Sequence, residues 1–339
     1  MKLWFERGAW ASSKGRKVIE RMDRKKVKRI AVVRHAALGD MVLVRPFLVE
    51  ARKFFPNAEI ILSLVSNYTY GAPIDLVDGV HIVHGNNLKY IPVRERINKA
   101  KELGEVDIFF DLADTTRSRY LCYLTKAKIK IGFPYRWYLR NLLLDAAVPR
   151  SDFAFEGVNM LDTLKLLGAN PQIPLDFSWP QDLLGKETAV DQRNIVYFPF
   201  ASVESKCWPE KNFLALIDRA AQEYRDCQHI VLAGVGEHEN IIAYQPLAKK
   251  YSNVILQPSM SLDDTIKFLV KTFLIVSNDT GIRNLAISVN TPTLGIFFST
   301  VPFRYWPRCT KNYTVFNAEG AVPSVFDVFS ALSQALKIE

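Results

Sequence analysis

Phe273-Leu274-Ile275-Val276-Ser277-Asn278-Asp279-Thr280-Gly281-Ile282-Arg283-Asn284-Leu285-Ala286 decides the fold class. Its first four residues form a short apolar run with β-branched members, the pattern of a parallel strand covered by helices on both faces. Asp279-Thr280-Gly281 ends that run. Asp and Thr suit a first turn or a cap, and Gly lets backbone amides come close to a ligand. A strand entering a helix through such a turn points free N–H groups and the positive helix end at one place, where an anion belongs. The same residues also fit an ordinary strand-to-helix turn closed by a capping Asp.

The strand-turn-helix alternation fills the second half of the chain. Strands are expected over 194–198, 229–234, 253–256 and 293–298, with helices over 212–224 and 263–270. The first half repeats the scheme. A buried run over 30–33 leads through a polar, Gly-containing turn (34–40) into helical apolar spacing over 41–54, and further strands follow over 59–65, 81–83 and 106–112. Such alternation predicts an α/β fold with mostly parallel, doubly wound sheets. Pro171, Pro174 and Pro180 lie in a less periodic connector, so the organisation reads as a basic extension over 1–27, one domain over 28–175 and a second over 190–339. Doubly wound sheets bind ligands at the carboxyl ends of their strands, and a cleft between the two domains is the expected place for chemistry. The loops aimed there are 34–40, 200–208, 234–239 and 279–284.

The formal charge of +9 is concentrated at the start: residues 1–29 hold eleven Lys/Arg against Glu6, Glu20 and Asp23. With Leu3, Trp4, Phe5 and Trp10 among them, this segment suits an anionic membrane surface, the aromatics entering the interface while the cations meet lipid phosphates. A solvated helical lead-in is the other reading, and nucleic acid is not expected as a partner. No stretch of about 18 apolar residues is present, and the first residues lack a secretory apolar core, so a cytoplasmic protein without a spanning helix is expected. The four cysteines, Cys122, Cys207, Cys227 and Cys309, form no C-x-x-C pair and suggest neither a zinc site nor a disulfide framework.

Four motifs then occur in order: Arg34-x-x-x-Leu38-Gly39-Asp40 after the first strand, Lys206-x-Trp208-Pro209 after the strand opening the second half, Met260-Ser261-Leu262 before a helix, and Asp279-Thr280-Gly281-x-x-x-Leu285-Ala286. Together, across residues 28–335, they resemble the motif set of glycosyltransferase family 9, the lipopolysaccharide heptosyltransferases. The resemblance implies a GT-B fold, two Rossmann-like domains facing across a cleft. It also implies an inverting transfer of heptose from ADP-L-glycero-D-manno-heptose to the inner core of lipopolysaccharide, at the cytoplasmic face of the inner membrane of a Gram-negative cell. The donor nucleotide would lie on the C-terminal domain and the acceptor on the N-terminal one. Asp40 would be the base, Glu237 the acidic contact to the ribose, and Met260 a wall of the adenine pocket.

The residue chemistry is compatible with those roles. Inversion by single displacement needs one base for the acceptor hydroxyl and a cationic cradle for the departing diphosphate. Lys206 can meet a phosphate as a point charge, Ser202 can donate a hydroxyl to it, and Thr280 and Gly281 can supply amides beside Asp279, which makes metal-independent catalysis without a cofactor the expectation. Asp40 equally suits a cap for a helix starting at Met41. On the acceptor side, Arg34, His35, Arg117 and Arg119 are candidates, the arginines for acidic Kdo groups and His35 for a phosphate. The chain departs from the family pattern at Asn284, where D-[TS]-G-x-x-H carries His, and at Ala36-Ala37, where a small polar pair is usual. Asn284 leaves room for another donor such as a UDP-hexose, and a non-catalytic nucleotide- or glycan-binding scaffold is the reading outside enzymes.

Overall fold

A computed structural model describes residues 9–85, 91–134, 142–185, 193–308 and 311–337. Lys2, Leu3, Trp4, Phe5, Arg7 and Cys309 lie outside the described residues. The chain divides into two compact units, Met1–Ser178 and Trp179–Glu339, so the division falls inside the Pro-bearing connector.

The first unit is built on a seven-stranded sheet. In chain order its strands are β1 (Trp10–Ala11), β2 (Arg29–Val33), β3 (Glu59–Val65), β4 (Gly79–Val83), β5 (Val106–Asp111), β6 (Ala127–Gly132) and β7 (Ala146–Ala147). Their spatial order is β1-β7-β6-β5-β2-β3-β4, parallel throughout except for β1 against β7. β2 is buried on both faces, with Ile30, Ala31, Val32 and Val33 at 0 % exposure, which is why it reads as an unbroken apolar run. The winding reverses between β2 and β5. Loops leaving the carboxyl ends of those two strands diverge, and the gap opened there is where doubly wound folds place ligands.

The second unit carries β8 (Asn194–Phe198), β9 (Gln228–Leu232), β10 (Val254–Gln257), β11 (Leu274–Asn278), β12 (Thr293–Phe297) and β13 (Asn312–Phe316). All neighbours are parallel, in the order β10-β9-β8-β11-β12-β13. Here the switch point lies between β8 and β11. Tyr197, Trp208, Phe213, Leu216, Val276, Leu294 and Leu332 belong to one core cluster under this sheet.

Two expectations are corrected. The single helix over 41–54 is two helices, Leu38–Leu43 and Arg45–Phe54, because Pro46 cannot donate to the carbonyl of Val42 and its ring crowds that turn. The basic lead-in is also not a separate extension from Trp10 onward. Trp10 packs against the first unit's core, β1 extends the sheet edge, and the helix Ser13–Glu20, capped by Ser12, sits so close to Asp145 that a Cβ on Gly15 would lie 2.3 Å from its carbonyl oxygen. Trp10 therefore belongs to the fold rather than to a free aromatic surface. No helix among the described residues is long and apolar enough to cross a membrane.

Candidate active site

In the first unit, the turn after β2 gathers a network of charges. Arg34 is 2 % exposed; its Nη1 donates to the Leu112 carbonyl at 2.5 Å and to Glu156 Oε1 at 3.2 Å, and its Nη2 donates to Asp40 Oδ1 at 2.8 Å. Glu156 is fully buried and is also paired with Arg150. Arg34 thus bridges the switch point, tying the β2 turn to the residue that follows β5. Its guanidinium already holds protein groups, the Asp40 carboxylate among them.

Asp40 does not cap a helix. It stands inside the first turn of Leu38–Leu43, whose N-cap, Ala37, has no side-chain bond to give. The Asp40 side chain is 32 % exposed; Oδ1 is fixed by Arg34, and among the described residues Oδ2 takes no hydrogen bond. A carboxylate anchored through one oxygen and open at the other suits a base that must meet a substrate hydroxyl.

Beside this turn, within the same unit, lies a cavity of about 460 Å³ lined in part by His35, Tyr68, Arg96, Lys99, Arg117 and Tyr120. Arg117 is placed there by the helix Thr116–Leu124, which opens with a capping box between Thr115 and Ser118. Arg119 points elsewhere and pairs with Asp114 at 2.8 Å. It is not among the residues lining the cavity.

A directional chain fixes His35. The Lys99 carbonyl can only accept, so His81 donates to it from Nε2 (2.8 Å), and His81 Nδ1 accepts from the Ser63 hydroxyl (2.9 Å). Ser63 Oγ in turn accepts from His35 Nε2 at 3.2 Å. Burial first, then the charge of Arg117, lowers the His35 pKa from 6.5 to about 3. His35 is therefore neutral, with a lone pair on Nδ1 that has no partner among the described residues. A neutral ring brings no positive charge to a ligand in the cavity that it lines.

In the second unit the corresponding switch point joins the loops after β8 and β11. Lys206, at the end of the 3-10 turn Glu204–Lys206, donates from Nζ to Asp279 Oδ2 at 2.9 Å, and Thr300 Oγ1 donates to the same oxygen at 2.8 Å. Asn278 makes the junction rigid: its Oδ1 accepts from the Trp208 amide (2.9 Å) and its Nδ2 donates to the Pro199 carbonyl (2.8 Å). Thr280 is the N-cap of the helix Gly281–Ser288, and no side chain caps it. The reading of Asp279 as a cap is thereby corrected. Its carboxylate faces Lys206, and the helix start is left for other acceptors.

The remaining candidates are scattered differently from expectation. Ser202 is exposed on the loop before the 3-10 turn, and Met260 is half-buried just ahead of Ser261, which caps the helix Leu262–Val270. Glu237 is exposed, and the carboxylate turned into the Gly234-Val235-Gly236 loop belongs to Glu239, whose Oε2 accepts from the Gly236 amide at 3.1 Å. Asn284 is 4 % exposed and its Oδ1 has no partner among the described residues.

Known proteins resemble this chain in sequence and in fold. The sequence profile of glycosyltransferase family 9 (heptosyltransferase) matches residues 96–327. Lipopolysaccharide heptosyltransferase 1 of Salmonella typhimurium is 23 % identical over 287 residues, covering 81 % of this chain and 89 % of the relative. The protein of the same description from Campylobacter coli is 22 % identical over 306 residues, covering 81 % and 85 %. Among solved structures, E. coli heptosyltransferase WaaC with ADP-2-deoxy-2-fluoro heptose superposes with a TM-score of 0.70 at 19 % identity, over 91 % of this chain and 99 % of that one. E. coli ADP-heptose lps heptosyltransferase II gives 0.65 at 17 %, over 91 % and 98 %. The fold is of the GT-B type, and with its profile matched over more than half its length the chain belongs to glycosyltransferase family 9, the heptosyltransferases.

Proposed function

We propose that the protein moves heptose from ADP-L-glycero-D-manno-heptose to the inner core of lipopolysaccharide with inversion at the anomeric carbon. The observation that carries this reading is Asp40, anchored by Arg34 at one oxygen and open at the other. In the reaction, the acceptor hydroxyl gives its proton to Asp40 Oδ2 as its oxygen bonds the anomeric carbon. The bond from that carbon to the diphosphate oxygen breaks, and ADP departs. Lys206 and the amides at the start of Gly281–Ser288 meet the charge that develops on the diphosphate, which is the work that makes a metal unnecessary in this scheme. The cavity lined by His35 of the turn that carries Asp40, with Arg96, Lys99 and Arg117 on its wall, suits an acidic sugar acceptor, and Glu239 rather than Glu237 suits the nucleoside.

The donor base is tested by thermal shift with ADP, UDP and GDP. A ligand at 100 times its Kd stabilises by about 2.7 kcal/mol, and ADP is expected to raise Tm most. A larger rise with UDP would instead favour the UDP-hexose reading that Asn284 leaves room for, and no rise with any of the three would remove a nucleotide donor altogether. Residues 1–29, with their eleven cations, are proposed to hold the enzyme at an anionic membrane surface on the cytoplasmic side. Removing residues 1–9, which carry Lys2, Arg7, Trp4 and Phe5, should weaken binding to vesicles rich in anionic lipid, and undiminished binding would refute a role for those nine residues.

A further inference from the structure

The turn Asp279–Gly281 is followed by an arginine that the family pattern does not call for. Arg283 is 0 % exposed. Nη1 donates to the Tyr305 carbonyl at 2.5 Å, while Nε and Nη2 have no partner among the described residues. Its guanidinium carbon lies 5.0 Å from the centre of the Phe297 ring. Space for it is made by a glycine: a Cβ on Gly295 of β12 would stand 2.5 Å from Arg283 Nε and 2.9 Å from Cζ. The slot is specific to a side chain that then goes half unsatisfied.

A buried cation is destabilising unless an opposite charge compensates it. Asp279 is the charge that acts on Arg283, but its carboxylate already receives Lys206 and Thr300. Lys206 is paired with this carboxylate, whereas Arg283, in the first turn of the same uncapped helix, makes no ion pair among the described residues. Burial lowers the Arg283 pKa only to about 10, so the charge persists at neutral pH. Sites that leave such an imbalance in the empty protein are commonly those whose ligand restores it.

We infer that Arg283 is a buried counter-charge for the anionic part of the donor, acting on the diphosphate through the first turn of Gly281–Ser288 without touching the sugar or the nucleoside. The inference rests on the proposed diphosphate pocket and adds to it a residue that sets selectivity for charge. In a poorly screened interior, a fixed positive charge favours ADP over adenosine by electrostatics alone.

The test compares full-length wild type with Arg283→Met, by calorimetric titration of ADP and of adenosine and by melting of the ligand-free protein. The Met variant is expected to bind ADP about tenfold more weakly, to bind adenosine as the wild type does, and to melt no lower when empty. Arg283→Lys, which keeps the charge, should retain most of the ADP affinity. A purely structural arginine would give the opposite pattern, a lower Tm with both ligands weakened together, and that result overturns the inference, as does unchanged ADP affinity in the Met variant. If the Met variant does not fold, Arg283→Gln, which keeps an N–H for the Tyr305 carbonyl, carries the same comparison. Wild-type protein that binds ADP yet transfers no heptose would refute the proposed reaction and leave this inference standing, whereas wild type that binds no ADP refutes both.

Discussion

Asp40→Asn is expected to lower heptosyl transfer by about 10²–10⁴-fold, the usual contribution of a positioned general base, while leaving ADP affinity unchanged. The amide is nearly isosteric with the carboxylate, and its oxygen can still accept from Arg34 Nη2, which now holds Asp40 Oδ1 at 2.8 Å. The turn should therefore keep its shape and the neutral Nδ2 should replace the open oxygen. The loss falls on kcat rather than on nucleotide binding, because Asp40 sits at the β2 turn of the first unit and the diphosphate pocket is assigned to the second. A rate for the Asn variant above about a tenth of wild type would move the base to another residue.

Lys206→Ala is expected to weaken ADP binding by about 10- to 100-fold, since hydrogen bonds to charged groups contribute about 1.5–3 kcal/mol. In the ligand-free protein Lys206 is paired with Asp279, which is only 8 % exposed. Truncation also leaves that carboxylate with Thr300 as its remaining side-chain donor, and an under-compensated carboxylate beside the pocket opposes an incoming diphosphate. Isothermal titration of ADP checks this. Adenosine affinity that falls by the same factor would show that the loop had collapsed rather than lost a charge.

Much of this architecture is readable from local pattern. β8, β11 and β2 are visible because strands buried on both faces become unbroken apolar runs, and the turns after β2 and β11 are visible because Gly and Asp interrupt those runs. β6 carries a different signal, for Ala127-Lys128-Ile129-Lys130-Ile131-Gly132 alternates with period two and forms no apolar run. β7 and β1, two residues each, carry no periodic signal at all.

The site shows the same division. Lys206 and Asp279 stand out because each sits in a recognisable turn, but their pairing, across 73 positions, does not. Glu156 lies 122 residues from Arg34 and reads locally as a helix-start carboxylate. Ser63 and His81 occupy alternate positions of ordinary strands, and only their meeting across β3 and β4 fixes the tautomer of His35. Asn278, at the end of an apolar run, gives no hint that it ties together the loops after β8 and β11. Electrostatic partnerships are the least legible, since the burial of Arg34 and its bonds to Leu112 and Glu156 depend on residues far along the chain.

The most direct measurement is the mass of the product formed when the protein is incubated with ADP-heptose and heptose-deficient lipopolysaccharide, run beside the Asp40→Asn variant. The account predicts a gain of one heptose for the wild type and almost none for the variant. Equal products from both proteins, or a sugar gained only from a different nucleotide donor, would contradict it.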